Sequence, residues 1–221
     1  MYDILETKER IQADNEKEAA LTRAYLDSQK VFFVNLMGSP GAGKTSVLLE
    51  IIKRLKDTLK IGVMEADVDS AVDSDTIAET GVRVIQLHSG GLCHMDADMT
   101  RRGIHRFNVE GLDLLVLENI GNLVCPAEFD VGSDIRVMIL SVPEGDDKPL
   151  KYPLMFQVSD VMLINKIDTM PVFNFSIDDC IERARKLNPD IKVFAVSARS
   201  SQGFDEFCQW LTERIRESGK L

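Results

Sequence analysis

No apolar run in this 221-residue sequence approaches the roughly 20 residues needed to cross a bilayer. The opening Met1-Tyr2-Asp3-Ile4 lacks a secretory signal pattern. Cysteine is scarce: Cys93, Cys125, Cys180 and Cys208 are too few and too scattered for a disulfide framework. These absences predict a cytoplasmic chain with reduced thiols and no membrane partner. Positive charge is also short, with 26 Lys and Arg against 36 Asp and Glu and a formal net charge of −10. That balance argues against a nucleic-acid partner, and it requires any phosphate ligand to be held by local geometry. Repeats and low-complexity segments are absent too. The 44% apolar content is nevertheless ordinary material for a sizeable core.

What is present is punctuated by one strong motif. Gly38-Ser39-Pro40-Gly41-Ala42-Gly43-Lys44-Thr45, followed by Ser46, fits the phosphate-binding pattern G-x-x-x-x-G-K-[ST]. Its glycines let successive backbone N–H groups converge on phosphates. Lys44 can reach the β/γ-phosphates, and the Thr45 hydroxyl can hold Mg²⁺. The context is the one the motif needs, a buried strand before it (Val31 to Met37) and a helix after it (Val47 to Ile52).

The remaining chain alternates in the same way. Strands are expected at 31–37, 61–65, 82–87, 112–118, 135–142, 161–165 and 191–196, and helices at about 45–56, 73–80, 96–107, 176–187 and 204–217. Ser176 with Asp179 resembles a helix-start capping pair. The pattern predicts an α/β fold, a mostly parallel sheet flanked by helices on both faces. Residues 3–28 carry no Gly or Pro and read as a leading helix. The expected organisation is a helical segment over 1–30 ahead of a nucleotide-binding domain over 31–221.

Ligands in such sheets bind beyond the carboxyl ends of the strands, and the chemistry-bearing residues fall there. Asn165-Lys166-Ile167-Asp168 follows the strand Val161 to Ile164. Its carboxylate can accept both the ring N–H and the exocyclic amine of guanine, whereas adenine presents the opposite pattern. Ser197-Ala198-Arg199 fits the small loop that backs the base. The strand Leu112 to Leu117 ends in Glu118-Asn119-Ile120-Gly121. Glu118 can contact Mg²⁺, directly or more readily through water, and the Gly121 N–H can touch a γ-phosphate. Asp67 and Asp73 are further candidates for Mg²⁺ contact and for orienting the attacking water. Lys44, Asp67 and Asp73 are therefore the expected catalytic residues. No Gln or His directly follows Gly121, and no arginine finger is evident, which predicts slow intrinsic hydrolysis.

A second constellation shares these loops. Cys93-His94 lies beyond the strand 82–87, and Cys125 lies four residues past Gly121. Thiolate and imidazole suit Zn²⁺ or Ni²⁺ far better than Mg²⁺. Three ligands underfill a structural zinc site, so water, Asp98 or a second subunit could complete it. The plainer alternative treats both cysteines as small apolar residues and His94 as a surface residue. Cys180 and Cys208 fall on expected helices and read as core, and neither His88 nor His105 is expected to ligate. Because Cys125 and Gly121 share one short loop, nucleotide state and metal geometry should not be independent.

The chain resembles the HypB family, the hydrogenase nickel-incorporation GTPases of the SIMIBI P-loop class, from about residue 30 to 215. The resemblance is carried by Asn35 through Thr45, Cys93-His94-Met95-Asp96-Ala97, Glu118 through Pro126, Glu144 through Pro153, and Asn165 through Asp168. It implies GTP hydrolysis to GDP and a homodimer in the GTP-bound state. It also implies a Ni²⁺ or Zn²⁺ site of Cys93, His94 and Cys125 at the subunit interface. The implied task is nickel delivery into a [NiFe]-hydrogenase precursor, with a HypA-type zinc protein as partner. Lys151 matches a family position that can reach the partner subunit's guanine. Two departures stand out. The first 30 residues hold no Cys or His, so the N-terminal nickel motifs of some bacterial members are missing, and Met95 stands where Leu is common. Rival expectations are a urease-type nickel GTPase, a P-loop ATPase or small-molecule kinase, and a zinc-stabilised dimer module with a structural nucleotide.

Overall fold

In the computed structural model the backbone is described for residues 7–67 and 72–221, and side chains for 12–67 and 73–221. Seven strands form one sheet: β1 (Phe32–Gly38), β2 (Ile61–Asp67), β3 (Arg83–His88), β4 (Leu114–Glu118), β5 (Ile135–Ser141), β6 (Val161–Asn165) and β7 (Lys192–Ala195). Their order is β3-β2-β4-β1-β5-β6-β7, and every neighbouring pair is parallel. β1 therefore sits in the middle. From β1 the chain steps out to β2 and the β3 edge, returns to place β4 between β2 and β1, and then adds β5, β6 and β7 out to the other edge.

The alternation of side chains along each strand assigns the two faces. Phe32, Val34 and Leu36 of β1, with Val63, Val116, Val137 and Leu163, meet α2 (Lys44–Leu55) and α9 (Phe204–Glu217) in one apolar cluster. On the opposite face Phe33, Met64, Leu115 and Leu117 pack with Leu26 of α1 (Thr7–Gln29) and Ile104 of α4 (Ala97–Phe107). Beyond β1 on that face, Met138, Leu140, Met162 and Ile164 pack with Phe156 of α7 (Pro153–Val158) and Cys180 of α8 (Ile177–Leu187). The five inner strands β1, β2, β4, β5 and β6 are buried on both sides and read as nearly continuous apolar runs, whereas the edge strands β3 and β7 are only partly buried. Cys180 and Cys208 are buried core residues, and burial pushes both thiols up to about 12.

The helices begin where local chemistry allows. Asp96 caps α4 by accepting the Met99 N–H at 2.8 Å, and Ser176 caps α8 by accepting the Asp179 N–H at 3.2 Å. α3 (Val72–Ala78) places Asp73 in its first turn. The leading helix runs from Thr7, and the start expected at residue 3 lies outside the described residues. Three short helices were not anticipated: α5 (Cys125–Glu128), α6 (Lys148–Lys151) and α7, each with proline at its first turn. Among the described residues no helix is long and apolar enough to cross a membrane.

Candidate functional site

The carboxyl ends of β1, β4 and β6 bring the nucleotide motifs together. Gly43 caps α2 with φ 95°, and a Cβ there would sit 2.6 Å from Asn165 Nδ2, so only glycine fits both the turn and the approach. Asn165 reaches across to this loop, donating to Ala42 O at 3.0 Å and accepting the Ala198 N–H at 3.2 Å. The Lys166 ammonium donates to Gly41 O at 2.6 Å. Ser197 donates to the Asp168 carboxylate at 2.6 Å and accepts the Ser200 N–H, fixing the orientation of that carboxylate. Gly43, Ser46, Asn165, Lys166, Asp168 and Ala198 line a cavity of ≈ 310 Å³, together with Thr169 and Arg199. Asn165, Lys166, Asp168, Ala198 and Arg199 of the expected base-recognition loops thus share one pocket, Thr169 is an addition on its wall, and Ser197 is buried behind Asp168.

On the other side of the loop, Lys44 Nζ donates to Ser39 O at 3.4 Å, and the Thr45 hydroxyl donates to Glu118 Oε1 at 2.8 Å. Glu118 is buried, and desolvation raises its carboxyl to about 7 against the lowering influence of Thr45 and Lys44. Its second oxygen, Oε2, has no hydrogen-bond partner. A buried oxygen without a partner beside a Thr hydroxyl and near Asp73 suits a hard divalent cation. Glu65, which the sequence reading did not single out, lies directly beside Glu118 in the strand register. Burial raises Glu65 to about 7 as well, with Asp67 and Asp73 adding to the rise. Asp67 closes β2 rather than standing in the loop after it, and residues 68–71 lie outside the description. Gly121 abuts the phosphate loop: a Cβ there would lie 2.9 Å from Pro40 N and Cα. The Asn122 N–H also donates to Gly38 O at 3.0 Å.

Three residues further on stands Cys125. Its sulfur accepts from the Cys93 thiol at 2.9 Å, and Cys93 Sγ lies 3.8 Å from His94 Nδ1. One donor atom from each of Cys93, His94 and Cys125 lies within 4.8 Å of the others, an assembly that softer transition metals prefer. The hydrogen bond from Cys93, with burial second, raises the Cys125 thiol. Burial lowers the His94 imidazole despite Asp96 and Glu128, favouring the neutral form that ligates metal. The His94 ring stacks on Phe129, with centroids 4.1 Å apart. Asp98 does not join this group; its carboxylate pairs with Arg101 at 3.1 Å and Arg102 at 3.6 Å along α4. Lys151 is exposed and pairs with Asp147 at 2.5 Å, away from the base pocket.

Two supports for this cluster had no signature in the sequence. Asn15 of α1 accepts the Ala97 N–H at 2.9 Å and donates to Asp130 O at 2.8 Å, tying together the segments that carry Cys93-His94 and Cys125. Arg23 grips the Asp130 carboxylate through both terminal nitrogens. Burial opposes ionisation of Asp130, but Arg23, the Gly132 N–H and Arg136 outweigh it and hold the group at about 2.

Residues 32–195 match the CobW/HypB/UreG nucleotide-binding domain. A hydrogenase maturation factor HypB from Rhizobium leguminosarum bv. viciae is 44% identical over 94% of this chain and 70% of its own length. The chain belongs to the HypB family. A hydrogenase/urease maturation factor HypB from Helicobacter pylori is 36% identical over 95% of this chain and 88% of its own length. A crystal structure of HypB from Helicobacter pylori in complex with nickel superposes with a TM-score of 0.88 at 36% identity. That match covers 92% of this chain and 96% of the other. The fold and the P-loop GTPase family expected from the sequence are those observed.

Proposed function

We propose that this chain is a GTP-hydrolysing metallochaperone that couples nucleotide-dependent dimerisation to nickel delivery during [NiFe]-hydrogenase maturation. One observation carries the reading. Cys93, His94 and Cys125 converge beside the phosphate loop, on the segment whose Gly121 touches Pro40. The HypB relatives named for hydrogenase maturation, and the related structure solved with nickel, support the client and the cargo. The Helicobacter pylori relative is named for urease as well, so a urease client is the second reading.

In this reading the backbone N–H groups of Gly38, Ser39, Gly41, Ala42 and Gly43 hold the phosphates, with Lys44 countering the charge that builds on the γ-phosphoryl oxygens. Asp168 and Asn165 select guanine, with Ser197 and Ala198 backing the ring. Thr45, Glu118, Asp67 and Asp73 would hold Mg²⁺, which when bound neutralises charge on the phosphates. Asp67 and Asp73 orient the attacking water, and the Gly121 N–H reports the γ-phosphate. Cys93, His94 and Cys125 hold Ni²⁺ as cargo, or Zn²⁺ in its place. Lys151 closes over the partner subunit's guanine in the GTP-bound homodimer. A HypA-type zinc protein and the hydrogenase large-subunit precursor are the protein partners, in the cytoplasm.

The test is oligomeric state and nickel content, measured side by side with GDP and with a non-hydrolysable GTP analogue. A dimer with the analogue, and a change in bound nickel between the two states, are expected. A monomer in both states with equal nickel would overturn the reading. Replacing Lys151 with Ala should weaken the analogue-dependent dimer, and an unchanged dimer would remove Lys151 from the interface.

A further inference from the structure

The two sites are joined by one buried side chain that neither site uses directly. Asn119 stands between Glu118 and Gly121 and is 0% exposed. Its Oδ1 accepts the Met95 N–H at 3.3 Å and the Ile120 N–H at 2.9 Å. Its Nδ2 donates to Asn35 Oδ1 at 3.1 Å, and its own N–H donates to Leu36 O at 2.9 Å. Asn35 and Leu36 belong to β1, three and two residues before the phosphate loop. Met95 directly follows His94. One carboxamide thus touches the strand that feeds the phosphate loop, the segment that faces the γ-phosphate, and the loop bearing two of the three metal donors.

We propose that Asn119 is the positioning residue that transmits nucleotide state to the Cys93–His94–Cys125 site, an inference that rests on the nucleotide–metal coupling proposed above. Cys125 is covalently tied to the Glu118–Gly121 segment and would follow it anyway. Cys93 and His94 are on a different loop, 24 residues away from Asn119 at Met95, and would not. The three donors open or close together only if the second loop follows the first. Asn15 ties the far ends of both loops to α1, and the hydrogen bond from Met95 N–H to Asn119 Oδ1 is the tie that reaches the segment facing the γ-phosphate. A carboxamide also has somewhere to go. Asn35 Nδ2 is buried without a partner, so Asn35 offers a donor as well as the acceptor in use, and the pair can exchange partners when the segment shifts. Buried polar pairs with two discrete bonding arrangements are the kind of element through which two sites bias each other.

The experiment measures Ni²⁺ affinity of the full chain with Mg²⁺·GDP and with a Mg²⁺-bound non-hydrolysable GTP analogue, for wild type, Asn119→Ala and Asn119→Asp. The expected wild-type ratio between states is about fivefold or more, the usual scale of allosteric coupling. Asn119→Ala should bring that ratio to within about twofold of one, with GDP affinity and melting behaviour confirming a folded chain. Asn119→Asp keeps the acceptor for the Met95 and Ile120 amides and should retain most of the ratio. Should the alanine variant not fold, Asn119→Ser, whose hydroxyl is too short to reach Met95, makes the same cut. A purely structural role would lower nickel affinity in both states together and leave the ratio intact. A wild-type ratio well away from one that survives in Asn119→Ala or Asn119→Ser overturns the relay alone. A wild-type ratio of one overturns the underlying coupling and the relay with it.

Discussion

The two sides of the phosphate loop are finished to different degrees. Toward β6 and β7 the base-recognition groups are already bonded to the protein: Asn165 to Ala42 and Ala198, Lys166 to Gly41, Asp168 to Ser197. Toward β4, β2 and β3 the buried Glu118 Oε2, Asn35 Nδ2 and Gln86 Nε2 have no partner. Each such group costs about 1–3 kcal/mol relative to a bonded one. A preorganised pocket gains affinity by losing little freedom on binding, which suits a base present in both GTP and GDP. Spare bonding capacity suits the side that must distinguish the two, because a ligand there can select a different arrangement. The metal donors stand on that second side.

The comparison can be broken from either side, beginning where the expected effect is greatest. Asp168→Asn removes a charged acceptor held ready by Ser197. It should weaken guanine-nucleotide binding by about 10²- to 10⁴-fold, the loss of two charge-assisted hydrogen bonds, as read by calorimetric titration with GDP. Nickel binding in the nucleotide-free chain should be untouched. If both fall together, the two sides are not separate.

Asp130→Asn probes the anchoring of the metal side to α1. The Asp130 carboxyl is held at about 2, below its ordinary 3.8, so its stabilisation is fully present above about pH 4 and disappears as pH falls through 2. The variant should be less stable than wild type by about 2 kcal/mol near pH 7, and the gap should close toward pH 2. Denaturant unfolding at several pH values checks both the size and the trend.

Glu118→Gln keeps the shape but removes the charge opposite Thr45. The gain in GTP-analogue affinity on adding Mg²⁺ should shrink by about tenfold, or about 1.4 kcal/mol, while affinity without Mg²⁺ is kept. Smaller still, Asn15→Ala cuts the link between Ala97 and Asp130. Nickel affinity should fall by about tenfold or less, and equally in both nucleotide states, because outer supports orient ligands without sensing phosphate. A state-dependent loss would move Asn15 into the switch.

How much of this was legible beforehand follows the same division. The five inner strands announced themselves because strands buried on both faces of a parallel sheet need nearly unbroken apolar runs; the partly buried edge strands β3 and β7 kept only short apolar stretches. Contiguous motifs were legible too, since a phosphate loop or an N-K-x-D turn does its chemistry within a few residues. The helices α5, α6 and α7 were hidden by length: four to six residues, each with a proline (Pro126, Pro149 and Pro153) in its first turn, carry too little periodicity to read. Glu65 was passed over because its neighbour Glu118 is 53 positions away in sequence and adjacent only through the strand register. Asn15 and Asn119 were silent for the same reason, bonding to Ala97 and Asn35 across 82 and 84 residues.

Amide hydrogen exchange compared between Mg²⁺·GDP and a Mg²⁺-bound GTP analogue addresses the asymmetry most directly. Protection should change across 93–97 and 118–125 and stay the same across 165–168 and 197–200. Equal protection everywhere, or a change confined to the base-recognition loops, would contradict the account.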